Sequence, residues 1–128
     1  MKSMNVLIVD DSAVMRKMVL RAIRLTEVPI AEVYEAGNGL EALSVLDTHE
    51  IHALFTDIHM PGMNGVDLLL ELATRTGPQP ARIVISTDGS DPRRREMEAL
   101  SVHCFLEKPL RPEVMRDVLY ELANRLPR

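Results

Sequence analysis

The stretch Ala53-Leu54-Phe55-Thr56-Asp57-Ile58-His59-Met60-Pro61-Gly62-Met63-Asn64-Gly65 decides how the chain is read. An apolar run of strand length ends in an acid, and a loop punctuated by Pro61, Gly62 and Gly65 leads into a leucine-rich segment opening at Val66. A carboxylate where a strand stops has two readings. It can simply start a turn, the ordinary role of Asp. It can also stand at the edge of an open parallel sheet, outside the carboxyl ends of the strands, where ligands bind. The rest of the chain decides between them.

Upstream, Asn5-Val6-Leu7-Ile8-Val9 is a continuous, β-branched apolar run, as expected of a strand covered on both faces, and Asp10 and Asp11 close it. Ser12 is placed to cap a helix through about Leu25, with Val14, Met18, Ala22, Ile23 and Leu25 as its apolar face. A short strand from about Ala31 to Glu35 leads through Gly37-Asn38-Gly39 into a helix from Leu40 to about Asp47, with Leu40, Leu43 and Leu46 inward. The third strand is His52 to Thr56, and the helix after it runs from about Val66 to Thr74 around Leu68, Leu69 and Leu72. Beyond the loop Gly77-Pro78-Gln79-Pro80, Arg82 to Ser86 is a fourth buried strand. The turn Thr87-Asp88-Gly89-Ser90-Asp91 then caps a mostly charged helix from Pro92. Val102 to Glu107 is a fifth strand, ended by Lys108-Pro109, and Pro112 opens a last helix with Val114, Val118, Leu122 and Leu126 near helical spacing.

Strand and helix alternate five times with short connections. That is the pattern of an α/β fold with a doubly wound, five-stranded parallel sheet and helices on both faces. A closed eight-fold barrel needs about twice the residues. At 128 residues and 14.4 kDa, residues 1–128 are expected to form one domain with its own core. Two Phe, two Tyr and no Trp disfavour a stacked nucleotide or flavin. A net charge of -4 argues against direct nucleic-acid binding, whose affinity comes from Lys and Arg neutralising phosphates. Cys104 is the only cysteine, so no internal disulfide is possible and a reducing compartment is expected. The run Val6 to Val9 is too short for a signal peptide or membrane span, so a cytoplasmic, membrane-free protein is expected.

If the sheet is parallel, every strand ends at one edge, and the residues there can be named from the sequence. They are Asp10 and Asp11, Asp57, Ser86 and Thr87, and Lys108. Two unit charges about 4 Å apart interact by roughly 1 kcal/mol in water and about 4 kcal/mol at an effective dielectric near 20. Three clustered carboxylates are therefore unfavourable unless a cation joins them. Hard oxygen ligands select a hard divalent ion, and Mg2+ suits one or two carboxylates, a carbonyl, waters and a phosphate oxygen. The histidines His49, His52, His59 and His103 lack zinc spacing, and there is no glycine-rich phosphate loop. The nucleophile for a phosphoryl group would then be a carboxylate.

Four motifs at these strand ends now carry a resemblance. Val6-Leu7-Ile8-Val9-Asp10-Asp11-Ser12, Thr56-Asp57-Ile58-His59-Met60-Pro61-Gly62-Met63-Asn64-Gly65, Ile83-Val84-Ile85-Ser86 and Phe105-Leu106-Glu107-Lys108-Pro109 together resemble a two-component response-regulator receiver domain of the chemotaxis CheY type. The resemblance spans essentially the whole chain and implies the flavodoxin-like strand order 2-1-3-4-5. It implies that Asp57 is the phosphoacceptor and that Mg2+ is held by Asp11 directly, by Asp10 mainly through water, by Asp57 and by the His59 carbonyl. Lys108 would pair with the phosphoryl group, Ser86 would donate a hydrogen bond to it, and Phe105 would turn inward as Ser86 moves. The resemblance further implies a histidine kinase or phosphotransfer protein as donor. Downstream protein targets would meet the face made by the fourth helix, fifth strand and fifth helix, where Arg93, Arg94 and Arg95 stand. It also implies a cis Lys108-Pro109 peptide.

Several residues have ordinary alternatives. Asp10 and Asp11 can serve as helix-capping acids in a favourable dipole contact, Lys108 as a counter-ion, Phe105 as core, and Arg93 to Arg95 as a solvated helix face. Thr87 stands where such domains usually carry Ala or Gly, and a register shift of one would exchange it with Ser86. In this register Thr87 would slow access to the phosphoryl group. A stand-alone phosphoacceptor switch is the reading adopted. A receiver cut from a longer regulator or a phosphorelay intermediate would look the same. A Mg2+-dependent phosphohydrolase is the enzymatic rival, but its second acid, commonly two residues past the nucleophile, is replaced by His59. At most, slow self-catalysed phosphorylation and dephosphorylation are expected.

Overall fold

A computed structural model describes residues 2–87 and 90–126. The strands are β1 (Met4–Val9), β2 (Ile30–Ala36), β3 (Ala53–Thr56), β4 (Ala81–Ser86) and β5 (Cys104–Glu107). They alternate with α1 (Ala13–Leu25), α2 (Gly39–Thr48), α3 (Gly65–Ala73), α4 (Asp91–Ala99) and α5 (Pro112–Arg125). All four strand pairings are parallel, in the order β2-β1-β3-β4-β5. The expected alternation is therefore the observed one. The predicted turn at Asp88-Gly89 lies outside the described residues.

The central strands β1 and β3 are buried along nearly their whole length because helices cover both faces. One face packs Val6, Ile8, Phe55, Ile83 and Ile85 against α1 and α5, through Val19, Ile23, Met115 and Leu119. The other packs Leu7, Val9 and Leu54 against α2 and α3, through Ala42, Leu68 and Leu72. Successive residues of β1 thus feed opposite layers, as the two-residue period of a strand requires. A smaller group of Ile58, Leu69, Val84 and Met97 seats α4, with Phe105 packed partly against it. Among the described residues no helix is long and apolar enough to cross a membrane.

Two helix faces differ from the expectation. On α1 the buried residues are Val19, Ala22 and Ile23, whereas Val14, Met18 and Leu25 are exposed. At roughly 100° per residue these three form a second stripe, rotated about a third of a turn from the core stripe. Met18 and Leu25 line a groove of about 560 Å³ between α1 and the β5–α5 connection. On α2, Leu40 is 64% exposed while Leu43 and Leu46 pack partly against the core. A tight approach between Gly39 and Met63 takes the inward place at the start of that helix.

At the end of the sheet where β3 and β5 begin, one side-chain device occurs twice. The backbone N–H of His52 donates to the Asn5 carbonyl at 2.9 Å, and its Nδ1 accepts from the Asn5 N–H at 2.8 Å. His103 does the same with Arg82, at 2.8 Å and 3.1 Å. Each imidazole supplies an acceptor where the ladder has run out of carbonyls, which requires Nδ1 to be unprotonated. His52 Nε2 pairs with Glu50 at 2.7 Å. Although much of His103 is exposed, burial together with the Arg82 and Arg125 guanidinium groups holds its imidazole below the ordinary value of 6.5, with Glu121 opposing. The neutral form is therefore favoured in the folded chain. This contribution is complete above about pH 6.5 and is lost as pH falls and the unfolded chain takes up the proton first. His103→Asn retains an acceptor but cannot titrate there. Between pH 7 and 5, wild-type urea midpoints should fall more steeply than those of His103→Asn.

Candidate functional site

The register of the ladder assembles the carboxyl edge. Val9, Thr56, Val84 and Phe105 stand in one row across β1, β3, β4 and β5. Asp10 and Asp57 follow in the next row, where the Asp57 N–H donates to the Val9 carbonyl at 3.0 Å and the Asp10 N–H to the Ala36 carbonyl at 3.1 Å. Lys108 enters two rows further on, its N–H donating to the Ser86 carbonyl at 2.9 Å. Two rows are about 6–7 Å of strand, a span that an extended lysine side chain covers in the reverse direction.

The side chain does so. Lys108 Nζ lies 3.3 Å from Asp57 Oδ2 and 3.8 Å from Asp10 Oδ2, in a niche where the three side chains are 19%, 14% and 6% exposed. Asp57 Oδ1 accepts the Ile58 N–H at 2.7 Å, and Asp10 Oδ1 accepts the Ser12 N–H at 2.9 Å. Both carboxylates are thus held in orientation by backbone donors, leaving Oδ2 of each turned toward the ammonium. Ser12 caps α1 by accepting the Met15 N–H at 3.2 Å, fixing the turn that carries the two acids.

Burial, reinforced by the Asp57 charge, pushes the Asp10 carboxyl up from its ordinary range, although the Ser12 N–H and Lys108 pull the other way. Its charge is therefore incompletely compensated. Among the described residues no ready-made cage of three His, Cys, Asp or Glu side chains is present. The donor set nevertheless fits a hard divalent ion: buried Asp10, exposed Asp11 and Asp57 are all oxygen donors, and the buried charge on Asp10 calls for a cation.

The loop behind Asp57 is held by close backbone approaches. The Gly65 N–H donates to the Ile58 carbonyl at 2.9 Å, and a Cβ at Gly65 would stand 2.1 Å from the Asp57 carbonyl oxygen. The Gly39 N–H donates to the Met63 carbonyl at 2.9 Å, tying the loop to α2. The start of α3 carries a capping box between Asn64 and Asp67.

The remaining sequence-predicted residues are dispersed around this niche. Ser86 is fully buried at the end of β4, whereas Thr87 is exposed and shares the α1 groove with Met15 and Lys108. The His59 side chain is exposed, and the Lys108-Pro109 peptide is cis. Phe105 is half-buried beneath the Arg94 guanidinium, 4.8 Å from the ring centroid, and Arg94 Nη2 also pairs with Glu107 at 2.7 Å. Arg93 pairs with Glu96 at 3.2 Å, and Arg95 is exposed. Of the arginine run, Arg94 is thus engaged with β5. Arg16, which joins α1 to the acidic turn, was missed because an arginine six residues beyond Asp10 carries no local signal of such a contact.

Three comparisons align this arrangement with known proteins. The profile of the response regulator receiver domain matches residues 6–120. A chemotaxis protein CheY homolog of Campylobacter jejuni is 31% identical over 123 residues, covering 94% of this chain and 93% of its own. The cyclic di-GMP phosphodiesterase response regulator RpfG of Xanthomonas campestris is 36% identical over 118 residues, which are 88% of this chain but only 30% of that protein. Among solved structures, chemotaxis response regulator CheY4 of Vibrio cholerae superposes with a TM-score of 0.80 at 25% identity, covering 94% of this chain and 99% of that one.

A carboxyl group raised by burial costs stability as pH rises through its folded value, so at neutral pH the Asp10 charge is a burden in metal-free protein. Asp10→Asn keeps the Oδ1 acceptor for Ser12 and removes that charge. In chelator at pH 7 its melting temperature should exceed that of wild type, and an equal or lower value would remove this burden.

Proposed function

Because this chain belongs to the response regulator receiver domain family, in its CheY-like type, we propose that Asp57 accepts a phosphoryl group from a histidine kinase or phosphotransfer protein and that the phosphorylated form changes a protein contact. The observation that carries this reading is the convergence of Asp57, Asp10 and Lys108 at one strand edge, with the ammonium 3.3 Å and 3.8 Å from the two carboxylates. Phosphoryl transfer is loose in character and asks a protein chiefly for alignment and charge neutralisation.

In the proposed step the P–N bond of the donor phosphohistidine breaks as a P–O bond forms to an Asp57 carboxylate oxygen. The electron pair of the broken bond stays with the departing imidazole. Asp57 is presented for this by the Ile58 N–H, which fixes its other oxygen. Asp10, Asp11, Asp57 and the His59 carbonyl would hold Mg2+, which when bound supplies positive charge to the phosphoryl oxygens. Lys108 would neutralise a further oxygen. Ser86, buried at the end of β4, donates its hydroxyl to the added group, and Phe105 follows it inward. Hydrolysis of the acyl phosphate by water returns Asp57 and releases inorganic phosphate, a slow reset rather than turnover of an external substrate.

Output is assigned to the face formed by α4, β5 and α5. The added charge of about -2 creates partners for Ser86 and Lys108 and biases the adjoining loop. Arg93, Arg94 and Arg95 on that face suit an acidic or mixed-charge protein partner. The similarity to chemotaxis proteins supports a chemotaxis output, and the similarity to one segment of the longer RpfG supports the alternative of a receiver that serves a larger regulator. Thr87, exposed in the groove beside Lys108, would slow the approach of water or partners to the phosphoryl group.

Intact-mass analysis after incubation with acetyl phosphate tests the reading. Wild type should show one phosphoryl adduct that requires Mg2+, and Asp57→Asn should show none. Absence of an adduct in wild type, with a phosphorylated donor protein also supplied, would refute the assignment. Once formed, the adduct should decay faster in Thr87→Ala; an unchanged lifetime would remove the role given to Thr87.

A further inference from the structure

Asp10 and Asp11 are joined by a single peptide unit, and the structure shows what grips it. Arg16 Nη1 donates to the Asp10 carbonyl at 2.6 Å, while its Nε donates to Glu35 Oε1 on β2 at 2.9 Å. The Arg16 side chain is only 20% exposed, and Nη1 passes 3.9 Å from where a Cβ at Gly37 would lie. The residue next to Glu35, Ala36, accepts the Asp10 N–H through its carbonyl. Asp10 is therefore held to β2 twice, directly by its N–H and indirectly through Arg16 by its carbonyl.

A peptide unit is planar. Fixing the Asp10 carbonyl fixes the direction of the Asp11 N–H in the same plane, and with it the mutual placement of the two Cα atoms. From this geometry we infer that Arg16 is a positioning residue for the acidic pair: its guanidinium fork locks the Asp10–Asp11 peptide so that both carboxylates are presented together to a divalent cation. The inference rests on the metal-binding part of the function proposed above. Glu35 anchors the fork, because a guanidinium held at two edges loses less freedom per bond than a single tethered cation. Outer partners of ligating groups commonly change metal affinity by about 10–100-fold when removed.

The rival role for Arg16 is that of a plain positive charge near three acids, and the two roles have opposite signs. A cation repels Mg2+, so if Arg16 acted only as charge, Arg16→Met would tighten Mg2+ binding and Arg16→Lys would leave it unchanged. A positioning role predicts that both variants weaken it, since Lys keeps the charge but cannot bridge the Asp10 carbonyl and Glu35 together. Glu35→Leu, which removes the anchor of the fork, should weaken Mg2+ binding as well.

Mg2+ titrated calorimetrically into wild type and these three variants, each shown by thermal melting to be folded at the titration temperature, reads this directly. The expected result is about 10-fold weaker binding in Arg16→Lys and Arg16→Met. Wild-type affinity in Arg16→Lys, or tighter binding in Arg16→Met, would overturn the inference. In parallel, amide hydrogen exchange and 15N relaxation in metal-free protein should show the Asp11 and Ser12 amides more mobile in Arg16→Lys than in wild type. Unchanged amides would also overturn it. If wild type itself binds no Mg2+, the metal reading of the acidic edge fails, and the locking of the acidic turn is decided by the relaxation arm alone.

Discussion

Two carboxylates share one ammonium at the carboxyl edge of this sheet, and that arrangement governs much of what surrounds it. Asp10 is nearly buried and lies in the field of Asp57, so its charge is costly, while Lys108 reaches both acids at 3.3 Å and 3.8 Å. Such a niche is stable without further cations only because every other oxygen has a fixed donor, Ser12 for Asp10 and Ile58 for Asp57. The same imbalance that strains the resting site makes it receptive. A divalent ion would relieve the crowding of acids, and a phosphoryl group on Asp57, the acceptor proposed above, would give Lys108 a stronger partner than a carboxylate. Structural cost and signalling competence thus have one origin.

The strands and the acids at their ends were legible because both are properties of short sequence. A strand covered on both faces reads as an unbroken apolar run, and parallel order then forces every strand end to one side, so Asp10, Asp57 and Lys108 could be grouped without coordinates. Helix faces were less legible. Val14, Met18 and Leu25 repeat at a helical period as convincingly as Val19, Ala22 and Ile23, and only the position of the sheet distinguishes the stripe that is buried. Leu40 was misread for a related reason: Gly39, lacking a side chain, lets Met63 come close at the helix start, and that contact is set by a loop more than twenty residues away. Arg16 and Arg94 belong to the same class. Each is an ordinary helix arginine in sequence, and each takes its role from a partner on another element, Asp10 and Glu35 in one case, Phe105 and Glu107 in the other.

The aromatic under Arg94 also shows how the niche is connected to the surface. Phe105 stands in the ladder row just before Asp57, on the strand that delivers Lys108, and packs partly against the apolar group that seats α4. Its outer face is covered by a guanidinium rather than by a hydrophobic neighbour. On the face of α4, β5 and α5, Arg94 thus ties the helix to Phe105 and Glu107 of β5 at the surface.

The paired histidine brackets set a length standard for the sheet. Asp57 stands five positions past His52, and Lys108 stands five positions past His103. The two strands that bring acid and ammonium together are cut to the same measure from the same kind of anchor. One added or deleted residue in either span would slide its functional group by about 3.3 Å, as far as the whole separation between Lys108 and Asp57. Packing restricts which side chains fill those spans, but the number of residues sets the reach, so each span is a calibrated gauge whose zero lies at the end of the molecule opposite the chemistry.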